Sequence, residues 1–381
     1  MTHTRLKRLS VSLTACAALA LSACGNSNGA SAETEKQQSD ALDGLVWAQA
    51  PGAQSTATTK GDAITFDVGA SSAVKITRSE PLSIAFLQQG TVNDYLKAEN
   101  KGAQDAARKL GVKLTIFDAQ LTPATQLAQL QNVITSGKYN AVMAMVMDSN
   151  GECKAFTHDA PAANLLVVSM IQPLCGNGTT LGSDAWSAGT LSHIGGDGDP
   201  SFWGALTGRL ESEVSKDTPI GLVSGPESTI NFKPLIELLQ DKSKFNLVDV
   251  KYTDYSSNKV LAATQNMLLA HPEIKHIVSI STPNMSTIIA SVLRQQGKKD
   301  VKIYDAGGDT NSVDLVKKGE LGFSAAYFPY TIGACAVQIL AAAHDVKSVP
   351  RLILNDCRKP ANKPAPFVLD RSNVNSFIPE Y

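Results

Sequence analysis

"LSIAFLQQGTVNDYLKAENKGAQDAARKLGVKLTIF", Leu82 to Phe117, decides the fold. Leu82–Leu87 is an apolar run of strand length, and Val112–Phe117 is a second. Between them Tyr95, Ala98, Ala103, Ala106, Ala107 and Leu110 recur on one helical face, and Gly111 is placed to stop the helix. Strands that are apolar at successive positions offer no face to water. They belong in a parallel sheet covered by helices on both sides.

The alternation continues downstream. Thr122-Pro123 supplies an N-cap and a first-turn proline, Leu127, Leu130, Val133 and Ile134 follow at helical spacing, and Gly137 terminates the helix. Ala141–Val146 and Leu165–Ser169 are the next strands. After "HIGGDGDP" (His193–Pro200) a second series begins. Its helices are expected at Phe202–Val214, Leu235–Leu239, Lys259–Leu269 and Met285–Gln296, and its strands at Ile220–Ser224, Phe245–Tyr252, Ile277–Ile280 and Val301–Tyr304. Two doubly wound α/β lobes in tandem bring strand ends to a shared cleft, and open sheets of this kind bind ligands outside the carboxyl ends of their strands.

The start of the chain has a different character. Arg5, Lys7 and Arg8 precede an apolar run, Val11–Leu21, too short to span a bilayer as a helix, which reads as an export signal over residues 1–23. Leu21-Ser22-Ala23-Cys24 resembles the lipobox of bacterial lipoproteins, in which the cysteine thiol takes a diacylglyceryl group. Cys24 is therefore expected to be the lipid tether, holding the protein on the outer face of the cell membrane. Residues 24–40 have no apolar side chain larger than alanine after the cysteine and read as a flexible linker. Residues 41–80 read as an accessory strap, in which "AITFDV" and "AVKIT" alternate like short strands while Pro51–Asp62 is turn and loop material.

Composition sets the outer bounds. The 381 residues are 43% hydrophobic and 18% charged, enough for two cores. The formal net charge is −1; loss of the signal removes three positive charges and no acid, leaving −4. Such a chain has nothing to attract nucleic acid.

"SIAFL", the helix and strand that follow it, "HIGGD", "AHPEIKHIV" and "GKKDVKIYDAGGD" together resemble the ribose-binding-protein group of type I periplasmic binding proteins. The resemblance runs from about Leu82 to the end of the sequence. It implies a monomer whose two lobes are joined by a three-crossing hinge, near Gly195–Asp199, near Ala326–Pro329 and near "APFVLD" (Ala365–Asp370). The N-terminal lobe is then 81–195 plus 330–355, and the C-terminal lobe 198–326 plus 363–381. It further implies a solute-binding protein that serves the permease of an ABC importer. A lipoprotein that signals to a sensor kinase or chemoreceptor would look the same in sequence.

Catalytic motifs are scarce. No His-Glu-x-x-His, Walker loop or dinucleotide glycine pattern occurs, and the six histidines are scattered, so neither metal nor cofactor is expected. "AWSAG" (Ala185–Gly189) is a weak cousin of a hydrolase elbow, a serine on a strand-to-helix turn, but Ser187 lies before, not after, a strand. "GGDGD" lacks the ligand series of a calcium loop and reads as hinge, with Asp197 facing the cleft.

The resemblance instead directs attention to residues just beyond strand ends. After the first strand stand Gln88, Gln89, Asn93 and Tyr95, and the family places an asparagine and aromatics in this loop; Asn93 and Tyr95 match. Asp148 follows the third strand. After the fourth the family has an Asp-Arg pair that clamps hydroxyls, where this sequence has Ile171-Gln172-Pro173. The arginine expected in the second lobe is also missing, and Glu227, Asn231 and Lys233 stand in its region. Tyr255 matches a stacking aromatic, Thr282 stands where asparagine is usual, Asp305 or Asp309 keeps a carboxylate, and Tyr327 replaces a glutamine at the crossover. With both arginines gone, and with Met145 and Met147 in the wall, the pocket is expected to be less charged than a pentose site and its ligand neutral and sugar-like, with room for a less hydroxylated one. The ligand would stack on Tyr95 and bond to Asn93, Gln172 and Asn231.

Four cysteines remain after processing, in a compartment where disulfides persist. Three pairings exist. Cys153 and Cys175 flank neighbouring strands at one edge of the first lobe, and Cys335 lies in the last helix with Cys357 beyond the strand it feeds, so Cys153–Cys175 and Cys335–Cys357 are the expected bonds.

Overall fold

A computed structural model describes residues 53–70, 73–177, 184–198, 200–227, 229, 232–280, 284–353, 357 and 368–381. The export signal, Cys24, the linker, the first part of the strap and the middle of the third hinge crossing lie outside the described residues.

The strands of the first sheet are β4 (Ser83–Gln88), β5 (Lys113–Asp118), β6 (Ala141–Met145), β7 (Leu166–Met170), β8 (Ser192–Ile194) and β15 (Leu352–Ile353). They lie in the order β15-β8-β7-β6-β4-β5, with every neighbouring pair parallel. One face is covered by helix α1 (Asp94–Leu110) and, from the last third of the chain, by α8 (Pro329–His344); α2 (Pro123–Ser136) and the turn Ala155–Ala162 cover the other. Asn93 caps α1, its side chain accepting from the amide of Leu96 at 2.9 Å, and Gly111 ends the helix in the left-handed conformation its φ of 67° requires.

The second sheet comprises β9 (Pro219–Ser224), β10 (Asn246–Tyr252), β11 (His276–Ile280), β12 (Lys302–Gly307), β13 (Leu321–Ala326) and β16 (Val368–Leu369). Its order is β10-β9-β11-β12-β13-β16, parallel except for the short antiparallel β16. Its helices are α3 (Pro200–Glu211), α4 (Lys233–Leu239), α5 (Ser257–Ala270), α6 (Met285–Gln295) and α7 (Thr310–Lys318), and a separate apolar core fills each face. The chain leaves the first sheet after β8, returns from β13 into α8, and leaves again between β15 and β16.

Several expectations are corrected. Pro51–Asp62 is not all loop: Gln54–Lys60 is strand β1, which pairs antiparallel with β2 (Ala63–Asp67) and with β14 (Val349–Pro350), and β3 (Val74–Thr77) completes the sheet. Thr56, Thr58 and Thr59 supply strand propensity without apolar periodicity, because β1 is mostly exposed along its length. The buried side of this small sheet, Ile64, Phe66, Val74 and Ile76, joins the core of the first lobe. Thr122 makes no side-chain cap; its hydroxyl donates to Gln120 O at 3.2 Å. Leu110, placed on the buried face by spacing, is exposed. The unit formed by α7 and β13 carries little apolar signal in sequence, since Leu321–Ala326 is largely glycine, serine and alanine.

Both disulfides have the expected pairing, Cys153–Cys175 with Cα atoms 4.8 Å apart and Cys335–Cys357 with 6.2 Å. Each spans 22 residues of sequence, a loop for which closure in the unfolded chain is worth about 3 kcal/mol.

Candidate functional site

The lobes meet where strand ends meet. Tyr95, at the start of α1, packs edge-on against Tyr327, which follows β13, with ring centroids 6.1 Å apart. Tyr327 lies 5.4 Å from Phe202, and Phe202 leads on to Trp203 and Phe232. An aromatic row therefore runs from the first lobe into the core of the second. Met145, at the end of β6, packs against the cores of both lobes.

On the first lobe a knot of amides holds the loop after β6. Buried Gln126 donates to Leu87 O and Met145 O, both at 3.0 Å, and accepts from the amide of Met147 at 2.9 Å. Gln89 donates to Val146 O at 3.1 Å, and Gln172 to Met147 O at 3.2 Å. Gln172 is positioned by a strained turn: Ile171 sits at φ 62°, a conformation that costs a β-branched residue energy and persists only where its surroundings enforce it. Glu152 is buried beside the same loop, and burial pushes its carboxyl up to about 7 although it accepts from Met147 N at 3.4 Å. Asp148 is exposed and uses one oxygen to cap the turn at Gly151 N. Gln88 is fully buried, with both amide protons taken by Glu99 and Asn100, which places it behind the wall of the cleft.

On the second lobe Asp309 caps α7, accepting from Ser312 N at 2.6 Å. Burial raises its pKa, and the Asp94 carboxylate at the start of α1, itself paired with Lys97, adds a smaller push in the same direction. Tyr255 stands at φ 65° with its phenol against Gly225, whose missing side chain makes room for it. Glu227 is exposed. Asn231, Thr282 and the side chain of Asp197 lie outside the described residues. Of the residues expected from sequence, the structure places Gln89, Tyr95, Gln172, Asp309 and Tyr327 just beyond strand ends, and Gln126, Glu152 and Tyr381, not singled out from sequence, stand beside them. The ring of Tyr381 lies 5.6 Å from that of Tyr95. Nothing local in "FIPEY" announces a partner far away in sequence.

Asp305 is different in kind. It is fully buried, its Oδ2 accepts from Ser286 and Ser312 at 2.6 and 3.1 Å, and burial pushes its pKa from 3.8 to about 7. An acid raised in this way costs nothing while both folded and unfolded forms are protonated. The penalty begins above pH 3.8, grows towards 7 and is constant beyond. Asp305→Asn keeps an acceptor for the serines and removes the charge. Differential scanning calorimetry is expected to show a melting temperature higher by several degrees at pH 8 and nearly unchanged at pH 4, at about 2–4 °C per kcal/mol. Equal shifts at both values would contradict this.

Nothing among the described residues resembles an enzyme centre. The Ser187 hydroxyl is engaged by Leu174 O and Asn177 Nδ2, neither of them a base. Ser169 and His193 do form a hydroxyl–imidazole pair at 2.9 Å, but both are buried within the sheet, and desolvation lowers His193 to about 3. Among the described residues no cluster of His, Cys, Asp or Glu could hold a metal ion. A surface groove of about 570 Å³, lined by Lys216, Asp217, Phe245 and Leu247 among others, lies at the amino ends of β9 and β10, away from the cleft.

The sequence profile described as the periplasmic binding protein domain matches residues 84–197 and 221–347. The ribose import binding protein of Salmonella typhimurium is 24% identical over 259 residues, 68% of this chain and 83% of its own length. That of Bacillus subtilis is 22% identical over 262 residues, 67% of this chain and 78% of its own. Among solved structures, an ABC transporter solute-binding protein from Mycobacterium smegmatis with bound glycerol superposes with a TM-score of 0.64 at 22% identity, covering 78% of this chain and 96% of that one. One from Burkholderia graminis in complex with D-arabinose gives 0.65 at 18% identity, covering 79% and 99%.

Proposed function

This chain belongs to the periplasmic binding protein family, and on that premise we propose that it is an extracytoplasmic, lipid-anchored receptor that closes two lobes on one small, neutral, sugar-like molecule and delivers it to an ABC importer. The observation that carries this reading is the convergence of Tyr95 from one lobe with Tyr327 from the other at the strand ends. Ligand then shifts the population towards the closed form by as much as it prefers that form. Leu21–Cys24 supports the tether, and the ribose-importing relatives support both the class of ligand and the delivery.

Neutrality follows from the wall. Asp94 is already paired with Lys97 at 3.0 Å and the Asp309 carboxyl caps α7, so neither asks for a cation, and Gln172 offers an anion only an amide. The amides of Gln89 and Gln172 and the tyrosine rings suit hydroxyls and the C–H face of a ring. Asn93 caps α1 with its carbonyl, which leaves its amide NH2 as the group available to a ligand. A thermal-shift screen of neutral sugars, polyols and nucleosides tests the reading, because a ligand at 100 times its Kd adds roughly 2.7 kcal/mol. Ribose is expected to bind weakly. Submicromolar ribose binding in calorimetry would show that the missing arginines carry no meaning.

A further inference from the structure

Beyond β16 the chain turns through Asp370–Ser376 and then runs along the hinge. Phe377 packs against the second lobe's core and lies 6.3 Å, ring to ring, from Phe328 at the crossover. Glu380 then reaches the first lobe. Its carboxylate accepts from the amide of Thr331 at 3.1 Å and from the Thr331 hydroxyl, in the first turn of α8. That amide is one of the donors a helix leaves without an internal partner, and the helix dipole favours an anion there. Tyr381 touches both lobes. Its phenol donates to Gly307 O at 2.9 Å, and its main-chain oxygen accepts from the amide and hydroxyl of Thr310, each at 3.0 Å, all in the second lobe. Its ring meets Tyr95 of the first lobe edge-on.

We propose that Phe377–Tyr381 is a latch: anchored on the second lobe, it grips α8 through Glu380 and Tyr95 through Tyr381, and so favours the closed arrangement before any ligand arrives. The physical requirement is met on both sides of the hinge. Charge-assisted bonds to a helix start hold one end, and three hydrogen bonds hold the other. When the lobes part, Tyr95 moves with the first lobe and Tyr381 stays with Gly307 and Thr310. Opening therefore costs the ring contact and bends the segment at Glu380. A ligand stacking on Tyr95 must share that ring with Tyr381, so the latch also sets how much closure energy a ligand has to supply.

The test needs no ligand and is independent of what the cleft binds. Spin labels are placed on cysteines introduced at exposed Val92 and Asn258, at the strand ends of the two lobes, with the native disulfides intact, and their separation is measured by pulsed electron resonance in the ligand-free protein. Tyr381→Ala and Glu380→Gln are each expected to lengthen and broaden the distance distribution by several ångström. Tyr381→Phe, which removes the bond to Gly307 O and keeps the ring, gives a smaller change in the same direction. Distributions that superpose on the parent's in all three variants overturn the proposal, and Glu380→Gln, an isosteric change, keeps the test decisive should Tyr381→Ala fail to fold.

Discussion

Gly102→Val is expected to lower the melting temperature by about 10 °C or to prevent folding of the first lobe. Helices α1 and α8 cross so closely that a Cβ at Gly102 would lie 1.9 Å from Tyr330 O, and one at Gly333 would lie 2.2 Å from Glu99 O. The neighbours are backbone, which cannot swing aside as a side chain can. The helices would have to separate, opening the core that α1, α8 and the first sheet share, at a cost of about 3 kcal/mol or more. Gly208 in α3 is the control: a Cβ there would have nothing within 4 Å, and Gly208→Ala should stabilise by about 0.4–1 kcal/mol. Thermal melts of the two variants check the pair, and an unchanged melt for Gly102→Val would refute the close crossing.

Tyr95→Ala is expected to weaken ligand binding at least tenfold, that is by about 1.4 kcal/mol or more. Two effects add. The ligand loses a ring to stack on, and the closed form loses the contacts of Tyr95 with Tyr327 and Tyr381. Tyr95→Phe keeps the ring and should retain most of the affinity. Calorimetry with the first compound found by screening separates the two variants. Unchanged affinity in Tyr95→Ala would place the binding site elsewhere in the cleft.

The architecture is readable in sequence because its signals are local. Ile84–Leu87 is buried to the last side chain, and such a run has a parallel strand as its natural home. Gly111 and Gly137 end helices by chemistry that acts within a turn. Where the signal is long-range it cannot be read. The strand β1 exists because β2 and β14 flank it, and β8, three residues long, because β7 and β15 do. In the site, Tyr95 and Tyr327 are found through their positions in the chain. The outward or inward sense of a polar side chain is not: Gln88 looks like a cleft residue until Glu99 and Asn100 appear behind it. Ile171 gives no hint of its positive φ, since β-branched residues rarely adopt it.

The central claim is that two lobes close on one neutral, sugar-like molecule. Its most direct test is the separation of labels at positions 92 and 258, measured with and without each compound that raises the melting temperature. At least one neutral polyhydroxylated compound is expected to shorten and narrow that separation in a saturable way, while remaining chemically unchanged. A bound compound that leaves the separation as it was, or that the protein consumes, would contradict the account.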